Sequence, residues 1–542
     1  MSSGDFTPPV PRGPRHAARK PKRSLWPRNR WARAGLSLFI ALVLLVGAGV
    51  GYVAYQASRI NKIDVKNLTT SAAVGQSANT TNILMVGSTD RCALKVQNPI
   101  YGICSQGVTG VNSDVVMILH LDYNTGKISL LSIPRDLFIP NARQDGANKI
   151  DAALAEGPNQ LVNAIQQDFG IPINKYVELN FDTFAGVVDA LGGIKMYFPM
   201  PVYDAYSQLK QFQTGCVSLT GQQALTVVRA RHLQYKPNDS YGSDPSGWPQ
   251  ENQSDLARIR RDHEFLRVLA SAVSKQGLGN PITDAKLVNN VAPQLTVAGI
   301  STSDMVNMIT TFHSVNSQST PQYTLPVMAS NSYTYYYKGY DYGNVEFPDN
   351  VPDLSTIQAF LGVGPNTNTM TGAPLPAASS VTVAVLNGSG VYNQAGQTAA
   401  ALQQLGFKIG TIGDATPVGN PAETTVTYNS HNPTVVADAL KVLRQISGQA
   451  ILEYDPTQTA PVTVITGTSF AINAPSAPST TTSTQKSDSS KKTDGSTSTS
   501  TTTASQSTTT TTPEGFAAVS SAVEPLAPWD PRSCTPSGGE GP

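Results

Sequence analysis

Arginines recur in this chain where a buried strand or one helix face comes to an end. In "LLSIPRDLFIP", Arg135 and Asp136 stand side by side directly after an apolar run closed by a proline. Arg91 follows the apolar stretch "NILMVG". Arg229 and Arg231 lie two apart in "ALTVVRARH"; on a strand they would share one face, with small Ala230 on the other. In "DLARIRRDHEF", Arg258 and Arg261 are three apart on one helix face, flanked by Asp255 and Asp262. Guanidinium groups brought close repel one another, so an anion must lie among them or each must reach water. Arginine rather than lysine suits bidentate recognition of phosphate. Two carboxylates complement the set: Asp90, beside Arg91 at the end of the first strand, and Asp114, opening a strand after "TGVNS". An acid pair at strand ends near arginines could hold a Mg²⁺ that also touches phosphate oxygens.

Regular elements are needed to bring these residues together. "NILMVG" (82–87), "DVVMILHLD" (114–122) and "KISLLSIP" (127–134) read as strands, the last two joined by the turn "YNTG". Residues 159–170 carry Leu161, Ile165 and Phe169 at helical spacing and end on glycine. "YVELNF" reads as a strand, and "DTFAGVVDALGG" as a helix with Asp182 as its N-cap. A long amphipathic helix covers 253–275. Strands alternating with helices predict an α/β or α+β domain over 81–345, a mixed sheet flanked by helices. A Pro/Thr/Asn/Gly-rich linker is expected over 346–378, and a second, smaller α/β domain over 379–472. From 473 to 542 the chain is rich in Ser, Thr, Lys and Pro and is expected to be disordered, because that composition buries too little apolar surface.

The 542 residues carry a net charge of only +1, which argues against general nucleic-acid binding. That balance hides an asymmetry. Nine Lys/Arg precede residue 34 against the single acid Asp5, and no charge appears from Ala34 to Ser58. The reading is a basic cytoplasmic tail (1–33), a transmembrane helix (34–57) and a polar stalk (58–80). The run is long for a signal peptide, and no clear small-x-small cleavage site follows it. The basic flank suits an anionic membrane-lipid surface. Everything after the span is then extracytoplasmic. All four cysteines, Cys92, Cys104, Cys216 and Cys534, fall on that side, which fits disulfides in an oxidising compartment. They allow three full pairings, and sequence does not choose among them.

The first domain resembles the LytR-CpsA-Psr family of cell-wall phosphotransferases. The likeness is carried over about 81–275 by "NILMVG..DR", "NSDVVMILHLDYNTGKISLLSIPRDL", "NKIDAALAEGP", "LTGQQALTVVRARH" and "SDLARIRRDHEFL". The unit over 379–470 resembles the LytR C-terminal domain. The resemblance implies a membrane-anchored enzyme that takes a glycopolymer from a polyprenyl-pyrophosphate carrier and transfers it, with one phosphate, to peptidoglycan. It implies an apolar pocket for the lipid and a pyrophosphate held by arginines and Mg²⁺. Carried over, Arg135 and Asp136 match the family's "PRD", Arg229 and Arg231 its "R-x-R", and Arg258 with Arg261 its helical pair. Lys149 matches its "K-I-N-A", with Asp151 in place of the asparagine, and Asp114 matches its metal-binding "SD". Two positions depart from the pattern: Thr89 stands where a metal aspartate is expected, with Asp90 one residue late, and Asn112 replaces an arginine. A Cys92–Cys104 bridge would fix the shape of this loop. These departures also leave room for a non-catalytic protein that binds lipid-linked precursors or wall polymer. A polyprenyl-pyrophosphate hydrolase, with water as nucleophile, is a third reading.

Overall fold

The computed structural model describes residues 60–69, 79–94, 97, 102–252, 254–275, 295–312, 315, 320–330, 334–364, 367–416, 418, 424–448, 450–468, 470–472, 516–518, 525–535 and 539. The expected cytoplasmic tail and transmembrane helix lie outside these residues. No helix among the described residues is long and apolar enough to cross a membrane.

The first domain is built on a seven-stranded mixed sheet. Its strands in chain order are β1 (Asn61–Lys62), β2 (Thr80–Ser88), β3 (Ser113–Asp122), β4 (Lys127–Ile133), β5 (Lys175–Leu179), β6 (Thr296–Ala298) and β7 (Gln322–Thr324). Their spatial order is β1-β6-β5-β2-β3-β4-β7. The meander β2-β3-β4 is antiparallel, and β5 runs parallel to β2. Apolar runs on β2, β3 and β4 bury Leu84, Ile118 and Leu131 completely, as expected of central strands with both faces covered.

The helices of this domain are α1 (Pro158–Phe169), α2 (Phe181–Ala190), α3 (Gly221–Val228), α4 (Ser254–Lys275), α5 (Thr302–Phe312) and α6 (Asn350–Leu361), with α2 and α3 packed on a separate core with the strand pair Ile194–Phe198 and Gly215–Leu219. Leu161 and Ile165 of α1 and Phe360 of α6 share one core with Leu84, Ile118 and Leu131. The α1 helix ends on Gly170 at φ 63°, the left-handed cap that its sequence position requires.

The smaller domain holds β8 (Thr382–Asn387), α7 (Gln394–Gln404), β9 (Lys408–Asp414), β10 (Thr424–Tyr428), α8 (Pro433–Leu443), β11 (Ala450–Tyr454) and β12 (Val462–Thr466). Its five-stranded sheet runs β9-β8-β12-β10-β11 around a core of its own.

Several expectations are corrected. Part of the stalk belongs to the first domain, since Asn61 and Lys62 pair with Thr296 and Val297, and Val65 joins the core. The proposed linker is partly structural: Glu346–Pro348 forms a strand, and α6 buries Ile357, Phe360 and Leu361 against the sheet. "QQALTVVRARH" is not a strand. Thr220 and Gln223 form a reciprocal capping box that starts α3, and Arg229 is its C-cap. The cap of α2 is Asn180, whose side chain accepts from the Thr183 amide; Asp182 lies in the first turn. The expected disordered tail is ordered over residues 525–535, which a disulfide and buried ion pairs tie to the first domain. The cysteines pair as Cys92–Cys104 and Cys216–Cys534.

Candidate active site

Strand direction decides where the charged residues meet. Val116 of β3 lies opposite Ile133 of β4, so Asp114 and Arg135, each two residues further out, emerge at the same sheet edge. Gly87 pairs with Val115 on one side and Leu179 on the other, which brings the end of β5 and the start of α2 to that edge. A Cβ at Gly87 would come within 2.9 Å of the Val115 Cβ, so the close approach of β2 and β3 there needs glycine. Ligand clefts in sheets of this kind form at such carboxyl ends.

A cavity of about 320 Å³ opens at this edge. Apolar side chains make most of its wall, among them Met85, Met117, Phe181, Phe184, Leu225 and Phe265. Four guanidinium groups join that lining: Arg135, Arg229, Arg231 and Arg258, together with Asp114, Asp262 and His232. The α3 helix delivers Arg229 and Arg231 from its C-terminal turn, and α4 delivers Arg258. Arg229 lies over the ring of Phe181, 4.7 Å from its centroid.

Carboxylates hold the cations in place. Asp114 pairs with Arg135. Asp136 accepts from Lys149 Nζ at 3.1 Å and from Arg231 Nη2 at 3.0 Å. Asp255 Oδ1 stands 3.0 Å from Arg258 Nη2, 3.3 Å from Arg231 Nε and 3.9 Å from Arg135 Nε. Arg258 Nη2 also donates to the carbonyl of Asp114 at 2.7 Å. Behind the turn, fully buried Asp204 accepts from the amides of Arg231 and His232 with one oxygen and from those of Tyr206 and Ser207 with the other.

The Nε atoms of Arg135, Arg231 and Arg258 are buried and donate to no hydrogen-bond acceptor among the described residues. Each nonetheless faces a carboxylate oxygen at 3.3–3.9 Å and so stays inside the ion-pair network. Burial pushes the carboxyl of Glu346 up to about 8 and that of Asp262 up to about 7, and this trims the negative charge facing the arginines. For Asp136 burial pulls upward, but Arg135, Lys149 and Arg231 together hold it below the usual carboxylate range. Asp151 backs the site as a buried acid pushed up to about 6, chiefly by desolvation.

Not every expected residue reaches the cavity. Arg261 faces away from it: fully buried, it pairs with Glu251 and Asp530 and donates to the carbonyl of Ala230. Lys149 serves Asp136 rather than the cavity. Arg91 donates to the Thr89 carbonyl at 2.8 Å, with its guanidinium 5.8 Å from the Phe181 ring, and does not join the lining. Asp90 spends Oδ1 on the amides of Cys92 and Ala93 in its own loop. Asp114 is therefore the expected metal ligand that lines the cavity. Asp255, Asp204 and the aromatic wall were not foreseen as site residues. The Asp255–Arg258 spacing on a helix pointed to the first, and the implied lipid pocket to the wall without naming its residues.

Comparison with known proteins gives two family matches. Residues 50–347 match the LytR_cpsA_psr family, and residues 380–470 match the family described as LytR cell envelope-related transcriptional attenuator. The probable cell wall biosynthesis protein LcpB of Corynebacterium glutamicum is 33% identical over 265 residues, 48% of this chain and 57% of that protein. TagV of Bacillus subtilis, named a polyisoprenyl-teichoic acid–peptidoglycan teichoic acid transferase, is 27% identical over 259 residues, 44% of this chain and 57% of that one. The chain thus spans 57% of the length of each of these relatives. A solved LytR-Csp2A-Psr enzyme from Actinomyces oris aligns with a TM-score of 0.42 at 23% identity, over 57% of this chain and 97% of that one. The first family match covers more than half of the 542 residues, and the chain belongs to the LytR_cpsA_psr family.

Proposed function

We propose that this LytR_cpsA_psr family member transfers a glycopolymer from a polyprenyl-pyrophosphate carrier to a hydroxyl of peptidoglycan, anchored to the membrane by residues 34–57 with its N-terminus inside. The observation that carries the reading is four guanidinium groups converging on the polar part of an otherwise apolar cavity. An amphiphile with an oily chain and a diphosphate head matches that division. The name of TagV, a teichoic acid transferase, supports the same reaction class.

In this reading the acceptor hydroxyl attacks the phosphorus nearest the sugar. The new O–P bond forms as the bond to the bridging oxygen breaks, and polyprenyl phosphate leaves. The hydroxyl proton goes to a base at the cavity, where His232 is at hand. Charge grows on the equatorial and leaving oxygens, where Arg135, Arg231 and Arg258 are already fixed by Asp114, Asp136 and Asp255. A Mg²⁺ at this edge would be held by Asp114 and would supply further charge neutralisation.

The test uses the purified chain, a short polyprenyl-pyrophosphate-linked glycan and a peptidoglycan acceptor. Release of polyprenyl phosphate that depends on acceptor supports transfer. Release without acceptor marks a hydrolase, and retained lipid binding with no turnover marks a binder. Arg135→Ala should lower turnover by about 10²–10³, the typical loss for one preorganised donor to a developing anion. Unchanged turnover in that variant would contradict the assignment.

A further inference from the structure

Behind α4 a second group of charged side chains pairs away from the cavity. Arg260 and Arg261 face Glu251 and Asp530: Arg260 Nε donates to Asp530 Oδ2 at 2.6 Å, and Arg261 Nη1 lies 2.7 Å from Glu251 Oε2 and 3.3 Å from Asp530 Oδ1. Arg261 and Asp530 are both wholly buried. The remaining arm of Arg261, Nη2, donates at 2.5 Å to the carbonyl of Ala230. That carbonyl lies between Arg229 and Arg231, the two arginines that α3 contributes to the cavity.

Asp530 comes from a segment 269 positions further along the chain than Arg261. This strap, residues 525–535, is fastened at several points. Arg532 exchanges backbone hydrogen bonds with Tyr197, which adds the strap to the edge of the strand pair Ile194–Phe198 and Gly215–Leu219. Trp529 stacks on Tyr235 with centroids 3.9 Å apart and planes 8° from parallel, and its Nε1 donates to Glu251 at 3.3 Å. Cys534 closes a disulfide with Cys216 across 318 positions. The Asp530 carboxylate also accepts from the amide of Ala527, which sets its orientation.

We propose that Asp530 is a positioning residue: through Arg261 it holds the Arg229–Arg231 turn in register with Arg258 for the transfer reaction, and the Cys216–Cys534 bridge keeps it there. The proposal rests on the transferase reading for what the arginines do, and on the buried contacts alone for how they are held. Without Asp530, Arg261 would lose one of the two buried carboxylates it faces among the described residues, and its hold on the Ala230 carbonyl would loosen. The turn would then lose its tie to α4.

The experiment uses the full, oxidised chain and its Asp530→Asn, Asp530→Glu and Cys216→Ser/Cys534→Ser variants. Two quantities are measured: amide hydrogen exchange at residues 229–232, and turnover of the lipid-pyrophosphate donor per folded molecule. Asp530→Asn should speed exchange at 229–232 at least tenfold while exchange in β2–β4 stays as in the parent. Its kcat should fall at least tenfold, with Asp530→Glu recovering most of both. The cysteine variant should reproduce the exchange effect in weaker form. Unchanged exchange at 229–232 overturns the proposal whether or not the parent is active. Faster exchange with full kcat overturns it as well. A parent with no turnover contradicts the transferase reading alone, because exchange still reports whether Asp530 holds the turn.

Discussion

Asp255 explains how like charges come to share one site. Its carboxylate sits among Arg135, Arg231 and Arg258, while Asp136 bridges Arg231 and Lys149. Each guanidinium thus keeps its geometry before any phosphate arrives, and this preorganisation is what stabilisation of a developing charge requires. The arginines that reach the cavity were legible in sequence through their motif positions. Arg261 was misassigned, because helical spacing places it near Arg258 but says nothing of Asp530, which lies 269 positions away. The histidines give a prediction at this scale. Burial drives His120 down to about 4 and His263 down to about 3, and the latter shares a 2.5 Å hydrogen bond with Ser132. Their folded values lie below the unfolded 6.5, so the stability they contribute is present above pH 6.5 and lost as pH falls toward 4 and 3. The histidine share is read by difference in melting temperature: between pH 6.5 and 4 the parent should lose more stability, or gain less, than His263→Gln, while the raised carboxyls of Glu346, Asp262 and Asp151 pull the other way in both. An acid limb of the same steepness in the variant would refute it.

At the scale of elements, the R-x-R turn depends on how α3 packs against α2. A Cβ at Gly221 would lie 2.1 Å from the carbonyl oxygen of Ala185, so the first turn of α3 touches the backbone of α2. Asp189 accepts from the Gly221 amide at 2.7 Å and fixes the same contact. Gly221→Ala should push the helices apart and cost roughly 1–3 kcal/mol, as overpacked sites do. Chemical denaturation measures it, and a change under about 0.5 kcal/mol, the size of an ordinary surface substitution, would contradict the tight crossing. A strand, considered for the stretch that carries Arg229 and Arg231, would suit the β-branched Thr226, Val227 and Val228. The capping box at Thr220 and Gln223 and burial of Ala224, Leu225 and Val227 override it. By contrast, β2, β3, β4, α1 and α4 were readable because their periodicity agrees with the faces they bury.

For the whole molecule, the mixed sheet flanked by helices and the second small domain followed from alternating strand and helix patterns. Three boundaries did not. The stalk and linker strands are short and compositionally bland: Asn61–Lys62 joins the seven-stranded sheet, and Glu346–Pro348 pairs with Val327–Ala329 in a separate one. The strap over 525–535 sits after a long polar run, and a few residues, Trp529, Asp530 and Cys534, fix it through contacts with distant partners. Composition averages over such points. What unites both scales is a sheet edge where an apolar cavity and fixed cations meet. A crystal structure of the chain soaked with farnesyl pyrophosphate tests that union most directly. The account predicts diphosphate oxygens within hydrogen-bond reach of Arg135, Arg231 and Arg258, with the prenyl chain against Phe181, Phe184 and Phe265. A diphosphate seated elsewhere, or a cavity left without the chain, would contradict it.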